Sequence, residues 1–115
     1  MTVAKGTFTI YGTGGSCGTP VIGCSCNICL SDNPKNKRLR TCAMLSCMGK
    51  HVLVDIGPDF RFQAIKHKVM KVDGLILTHI HYDHIAGLDE LRIFNFRQKQ
   101  PIPCLLSSDS LAGIK

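Results

Sequence analysis

The sequence has no apolar run long enough to cross a bilayer: stretches such as Gly-Leu-Ile-Leu at residues 74–77 stop far short of the roughly 18 residues a membrane helix needs. No charged segment followed by an apolar core stands at the start, so no secretory signal is expected. Repeats, low-complexity tracts and linkers are missing too, which leaves residues 1–115 as one domain-sized unit. Acidic residues are few, 8 against 14 Lys and Arg, and the formal charge of +6 favours anionic partners, phosphates or nucleic acid. Most such charge simply keeps a surface solvated. With 44% hydrophobic and 19% charged residues, the expectation is an untargeted, soluble, cytoplasmic globular protein with no membrane partner.

What the sequence does have is cysteine, seven of them. In a secreted chain they would read as a disulfide framework, but three crowd into Cys24-Ser-Cys26-Asn-Ile-Cys29, a spacing better suited to metal than to bridging. Cys24, Cys26 and Cys29 supply three thiolates for one structural zinc. The fourth position falls to Cys17, to Cys42 or to water, or the site stays three-coordinate. Buried free thiols are the plain alternative. Cys42, Cys47 and Cys104 sit in apolar β runs and are expected in the core.

Short β-like runs alternate with helical ones, the pattern of a layered α/β fold. A first strand is expected over residues 7–13, followed by a loop rich in glycine (Gly12, Gly14, Gly15, Gly18) and a polar, basic segment over residues 35–40. Two β runs, residues 41–48 and 51–55, flank a turn at Gly49-Lys50. Pro58 opens a helix to about residue 68 with Phe62, Ile65 and Val69 on its stripe. Residues 72–78, in which Leu75, Ile76 and Leu77 show no alternation, predict a central strand covered on both faces. A helix over residues 84–97 carries Ile85, Leu88, Leu91 and Phe94 or Asn95 on one stripe, and residues 101–106 give a last strand. Ser108 or Asp109 then caps a helix starting near Leu111, too short before Lys115 to be stable alone.

The chemistry concentrates in His79-Ile-His81-Tyr-Asp83-His84, directly after the apolar strand. Neutral imidazoles and a carboxylate are the ligands that zinc, manganese or iron accept, and four donors here occupy six positions. His79 and His81, two apart on extended chain, can point the same way, while Asp83 and His84 fall where the chain turns into the next helix. Two adjacent metals can be served. The rival readings are a single metal and, more blandly, surface histidines after a strand. His51 reads as a strand residue and His67 as a solvated helix residue, neither with a metal role.

These residues resemble the metallo-β-lactamase superfamily of binuclear hydrolases, and Val54-Asp55-Ile56-Gly57 resembles the strand end that precedes its metal loop. Gly12-Thr-Gly-Gly15 followed by Pro20, Gly23 and the cysteine cluster is similar to the PhnP group of phosphodiesterases within it. The resemblance implies the N-terminal half of a four-layer αββα sandwich with a cysteine knuckle over residues 24–29. It makes His79 and His81 ligands of one divalent cation and Asp83 and His84 ligands of the other, be they zinc, manganese or iron. Asp55 would orient the loop from behind the ligands, and Asp83 would also lie near the attacking water as the catalytic carboxylate. The implied reaction is phosphodiester cleavage by a metal-activated water.

The resemblance also implies a further histidine, a bridging aspartate and a last histidine beyond Lys115, and a distant histidine to close the cysteine site. Asp109 comes too early to be the bridge. The chain is therefore expected to be part of a longer protein and inactive alone. A small phosphodiester is the first expectation for substrate; an RNA-processing nuclease of the same superfamily is the rival enzyme, with the cysteine knuckle against it. A non-catalytic zinc-binding module is the rival from another class. The basic segment (Lys35, Lys37, Arg38, Arg40) either guides phosphate or RNA or is a solvated loop, and it lacks interleaved aromatics for base stacking. An apolar sheet face left open would pair with another chain, which allows a homodimer, or aggregate.

Overall fold

A computed structural model describes residues 5–114. Five strands form one sheet in the order β1 (Gly6–Gly12), β2 (Cys42–Cys47), β3 (Lys50–Val54), β4 (Gly74–Ile76) and β5 (Cys104–Leu105). The first three are antiparallel neighbours, and β3, β4 and β5 run parallel. The parallel half needs crossovers, supplied by α1 (Phe60–Lys66) and by α2 (Tyr82–Ile85) with α3 (Arg92–Gln98). A last helix, α4, covers Ser108–Ile114.

The β2–β3 turn lies one residue earlier than expected. Lys50 pairs with Cys47, and Met48 and Gly49 make the turn with φ of 53° and 76°. Two successive positive φ values match the right-handed twist of a two-residue hairpin, and glycine takes the second without strain.

One face of the sheet is packed. Cys42, Met44, Leu53, Leu75 and Leu77 meet Phe60 of α1 and Phe94 of α3, whose rings lie 6.2 Å apart at 52°. This corrects the stripe expected on α1: Phe62 and Ile65 point outward, and the buried positions are Phe60 and Gln63. The helix starts at Phe60 rather than Pro58. Gln63 faces inward because its amide donates to the Arg40 carbonyl at 2.9 Å and so ties α1 to the segment before β2.

The helix expected over residues 84–97 is broken into α2, a 3-10 turn over Leu88–Leu91 and α3. Gly87 is the cause. Its amide donates to the Ile56 carbonyl at 3.0 Å, and a Cβ there would strike the Gly57 carbonyl, so the chain is held against the loop after β3 and cannot continue helically. Leu91 and Phe94 are nevertheless buried and Ile85 and Leu88 pack beside them, as the stripe predicted.

The other face is apolar and largely open. Register places Ile10, Ala43, Val54, Ile76 and Leu105 in one row across all five strands, with Phe8, Leu45 and Val52 in the next. Phe8, Ile10 and Leu105 are more than half exposed. β4 thus has a neighbour on each side but a single covered face, and Cys104 on β5 is exposed rather than core. Helix α4 begins at Ser108, earlier than expected, because the Ser107 hydroxyl accepts the Ser110 amide at 3.1 Å and serves as the cap.

Candidate metal centre

Parallel strands bring their carboxyl ends to one edge of a sheet, where ligand sites of open α/β sheets form. Here β3 and β4 end side by side: the Asp55 amide donates to the Ile76 carbonyl at 2.8 Å, and the Leu77 amide to Leu105 at 2.9 Å. Asp55, the next residue after β3, turns into the left-handed region at φ 61° and is buried. That conformation is uncommon outside glycine and is held by what the carboxylate gains.

The Asp55 carboxylate accepts three bonds. The Thr78 amide donates at 2.8 Å, the Thr78 hydroxyl at 2.7 Å and the His84 Nδ1 at 2.7 Å. An ionised carboxylate only accepts, so His84 carries its proton on Nδ1 and, when neutral, presents a lone pair at Nε2. That Nε2 lies 3.2 Å from an Asp83 carboxylate oxygen. The Thr78 hydroxyl, its one proton committed to Asp55, accepts from His79 Nδ1 at 3.1 Å, which turns the His79 lone pair to Nε2 as well. One buried aspartate and one threonine thus set the tautomers of two histidines. Such outer partners fix ring orientation and raise ligand basicity.

The histidine rings converge. His79 lies 4.6 Å from His81 at 83° and 3.9 Å from His84 at 46°, measured between ring centroids. His81 is the cap position of α2 in extended conformation, and Asp83 is buried in its first turn. Two glycines seat α2 against the strand end: a Cβ on Gly57 would strike the Asp83 carbonyl, and Gly87 packs as described above. The Ile56 amide closes the contact by donating to the His84 carbonyl at 2.8 Å. The donor set of three imidazoles and a carboxylate fits zinc, manganese or iron. Their donor atoms do not all gather to one tight cluster, however. Among the described residues, that is found only for Cys24, Cys26 and Cys29, whose sulfurs lie within 4.8 Å of one another.

The knuckle is held locally. The Cys29 amide donates to Cys26 Sγ at 3.4 Å and the Val21 amide to Cys29 Sγ at 3.4 Å. The bond from the Cys29 amide and those from the neighbouring thiols bring the Cys26 thiol down to about 7, where a thiolate ligand is available near neutrality. Cys17 and Cys42, the candidates for a fourth ligand, do not join the cluster. Cys42 is buried against the Asp55 carbonyl, 3.4 Å away, and burial pushes its thiol up to about 12.

The glycine loop packs against the segment before β2. Gly12 and Gly14 leave room for the carbonyls of residues 38–40, and backbone bonds join Gly14 to Leu39 and Thr19 to Arg38. His51 sits at the start of β3, at the end away from Asp55, with Nδ1 2.8 Å from the Ser46 hydroxyl, and His67 ends α1 stacked on Tyr11. Sequence reasoning missed Thr78 and Gly87, and placed Gly57 at the strand end without its contact with α2. A hydroxyl residue between an apolar strand and the first histidine was the one available signal for Thr78.

Residues 31–113 match the family model described as Anti-Pycsar protein Apyc1. A diphosphatase of the PhnP family superposes with a TM-score of 0.91 at 39% identity, over 96% of this chain and 44% of that one. An octanoyltransferase of Porphyromonas gingivalis is 43% identical over 84 residues, 72% of this chain but 17% of that protein. A ribonuclease Z of Clostridium kluyveri is 32% identical over 78 residues, 64% of this chain and 26% of that protein. The chain therefore spans under half the length of each of these. Two more distant structures share the fold: zinc-bound PqqB from Methylobacterium extorquens (TM-score 0.77, 24% identity, 93% of this chain and 39% of that one) and the metallo-β-lactamase fold protein YhfI from Bacillus subtilis (0.59, 19%, 86% and 35%). With most of its length matched by one family model and its sheet superposing on a PhnP-family structure, the chain belongs to the family described as Anti-Pycsar protein Apyc1 and has the metallo-β-lactamase fold in its PhnP-like form.

Proposed function

We propose that this chain supplies the histidine-loop half of a binuclear metal site, and that the site hydrolyses phosphodiesters. The carrying observation is the Asp55 carboxylate, which accepts from Thr78 and from His84 Nδ1 and so points imidazole lone pairs outward at the carboxyl end of β3 and β4. His79 and His81 would hold one cation and Asp83 and His84 the other; donors shared between two centres have no need to gather in one tight cluster. When bound, such cations supply Lewis acidity toward a phosphoryl oxygen and lower the pKa of the attacking water. The residues of this chain then have separate tasks. Asp55 and Thr78 hold ring orientation, Asp83 accepts a proton or a hydrogen bond from the water, and Gly57 and Gly87 keep α2 seated. Cys24, Cys26 and Cys29 would hold a structural zinc outside the chemistry.

A ribonuclease is the second reading, favoured by the ribonuclease Z relative and by the exposed Lys35, Lys37 and Arg38 of the basic segment. The test is metal content together with hydrolysis of bis(p-nitrophenyl) phosphate and of an RNA precursor, for this chain and for the longest reading frame that contains it, each with and without His81→Ala. Two metals beyond the knuckle zinc, with diesterase activity that His81→Ala removes, are expected in the longer protein. A longer protein that is metal-free at the histidine loop and inert would leave a zinc-binding module instead.

A further inference from the structure

A recess of about 490 Å³ lies between α1 and α3, on the side of the sheet opposite the open apolar face. Its floor belongs to the core: Phe60 and Phe94 are buried, and Ala64 and Val69 pack beside them. Around it Ile65, Met70 and Ile93 remain exposed. The apolar surface continues past the recess. Phe62 stands three residues before Ile65 on α1 and Phe96 three after Ile93 on α3, a spacing that makes neighbours on a helix surface, and Phe96 is 86% exposed. Singly exposed apolar side chains are ordinary, whereas a contiguous set with a polar border marks a contact surface.

The charge at that border is mostly of one sign. Arg61, Lys68 and Arg97 line the recess against a single carboxylate, Glu90, and among the described residues none of the four is in an ion pair. Unlike the cations of residues 35–40, these three border a concave apolar floor. Several occupants fit this chemistry badly. A second copy of the chain would set the three cations against themselves, since a two-fold contact pairs a patch with its own image. The rest of a longer chain has the open sheet face to cover, on the far side. A bilayer is flat and leaves a recess unfilled. A helix matches in size and shape: α1 and α3 have seven residues each and are about 10 Å long, which gives a third helix about two turns of contact between them.

We propose that the recess between α1 and α3 docks an acidic amphipathic helix of a partner protein, with its apolar stripe on Phe60, Ala64 and Phe94 and its carboxylates against Arg61, Lys68 and Arg97. Anchors three and four residues apart on the incoming helix fill the floor, and opposite charge at the rim sets its orientation and excludes basic helices. The site lies outside the histidine loop, so the inference does not depend on the chemistry there.

The experiment is fluorescence anisotropy of a labelled helical peptide of about 18 residues, with leucine on one stripe and glutamate elsewhere, titrated with the longest reading frame that contains this chain. A peptide with lysine in place of glutamate and a scrambled peptide are the controls. The glutamate peptide is expected to bind with a dissociation constant on the order of 10 μM, and each control at least about tenfold more weakly. Ala64→Trp, which fills the floor, should remove binding. The exposed pair Arg61→Glu with Arg97→Glu, which leaves the core intact, should weaken the glutamate peptide about tenfold and make the lysine peptide the better ligand. Equal binding of the two charged peptides, or parent affinity within about twofold in the double charge variant, would overturn the inference. So would binding by this chain that the longer protein lacks, which would show the recess covered by the protein's own remainder. Binding to phosphatidylglycerol vesicles without binding of the glutamate peptide would replace the partner helix with a membrane surface.

Discussion

The histidine loop and the cysteine knuckle both gather side chains of the types that ligate metals, yet they are built in opposite ways. The knuckle is local: six consecutive positions bring three sulfurs together, and the amides that bond to them come from residues 21 and 29. Its surroundings are exposed. The histidine loop depends on Asp55, 23 residues before Thr78 and 29 before His84, and the aspartate is buried. A site made by neighbours in sequence survives loosening of the fold, whereas a site whose tautomers are set across the sheet exists only when the sheet does.

The largest effect that separates the two sites is expected from Asp55→Ala. It removes the buried carboxylate that accepts from the Thr78 amide and hydroxyl and from the His84 Nδ1, at about 1–2 kcal/mol in stability because water reaches the exposed Thr78, and should abolish metal uptake at the histidine loop while leaving any zinc at the knuckle in place. Urea midpoints and metal stoichiometry check this, and a variant that loses knuckle zinc as well would break the proposed independence of the two sites. Thr78→Val sharpens the same point: one hydroxyl bond to Asp55 is worth about 1 kcal/mol, and metal affinity at the loop should fall roughly 10- to 100-fold, read by competition with a chelating dye. Cys26→Ser is the smallest in stability. In the metal-free chain it should shift the urea midpoint by under about 0.5 kcal/mol, because an exposed thiol leaves no cavity, yet it should remove one zinc.

The thiols offer a pH test of the contrast. Cys26, held near 7 by the Cys29 amide and the neighbouring thiols, should be alkylated ahead of Cys42, which burial pushes up to about 12. Because metal must displace the proton from a thiol, zinc uptake at the knuckle should weaken as pH falls through about 7. Mass spectrometry of partly alkylated chain, and zinc titrations across that range, decide both points; equal reactivity of the two thiols would contradict the burial difference.

Much of the candidate centre was legible because its donor residues are close in sequence. Four donors in six residues after an apolar strand, and three cysteines in six, announce themselves by spacing. What spacing does not carry is contact between distant segments. Gln63 reads as a solvated helix residue until the Arg40 carbonyl is placed beside it, and that contact turns Phe62 and Ile65 outward. Gly87 reads as a tolerable glycine inside a helix until the Gly57 carbonyl is found against it.

The amino-acid sequence by itself determined the strand-rich α/β class, the positions of the ligand clusters and the apolar strands that carry them, because these follow from residue type and period over a few positions. Only the tertiary structure decided which partners those residues meet. It paired Asp55 with Thr78 and His84, answered Arg40 with Asp59, and gave the sheet one packed and one open apolar face. The physical reason is that hydrogen bonds and packing act between atoms within a few ångströms, and the fold alone brings residues tens of positions apart within that range.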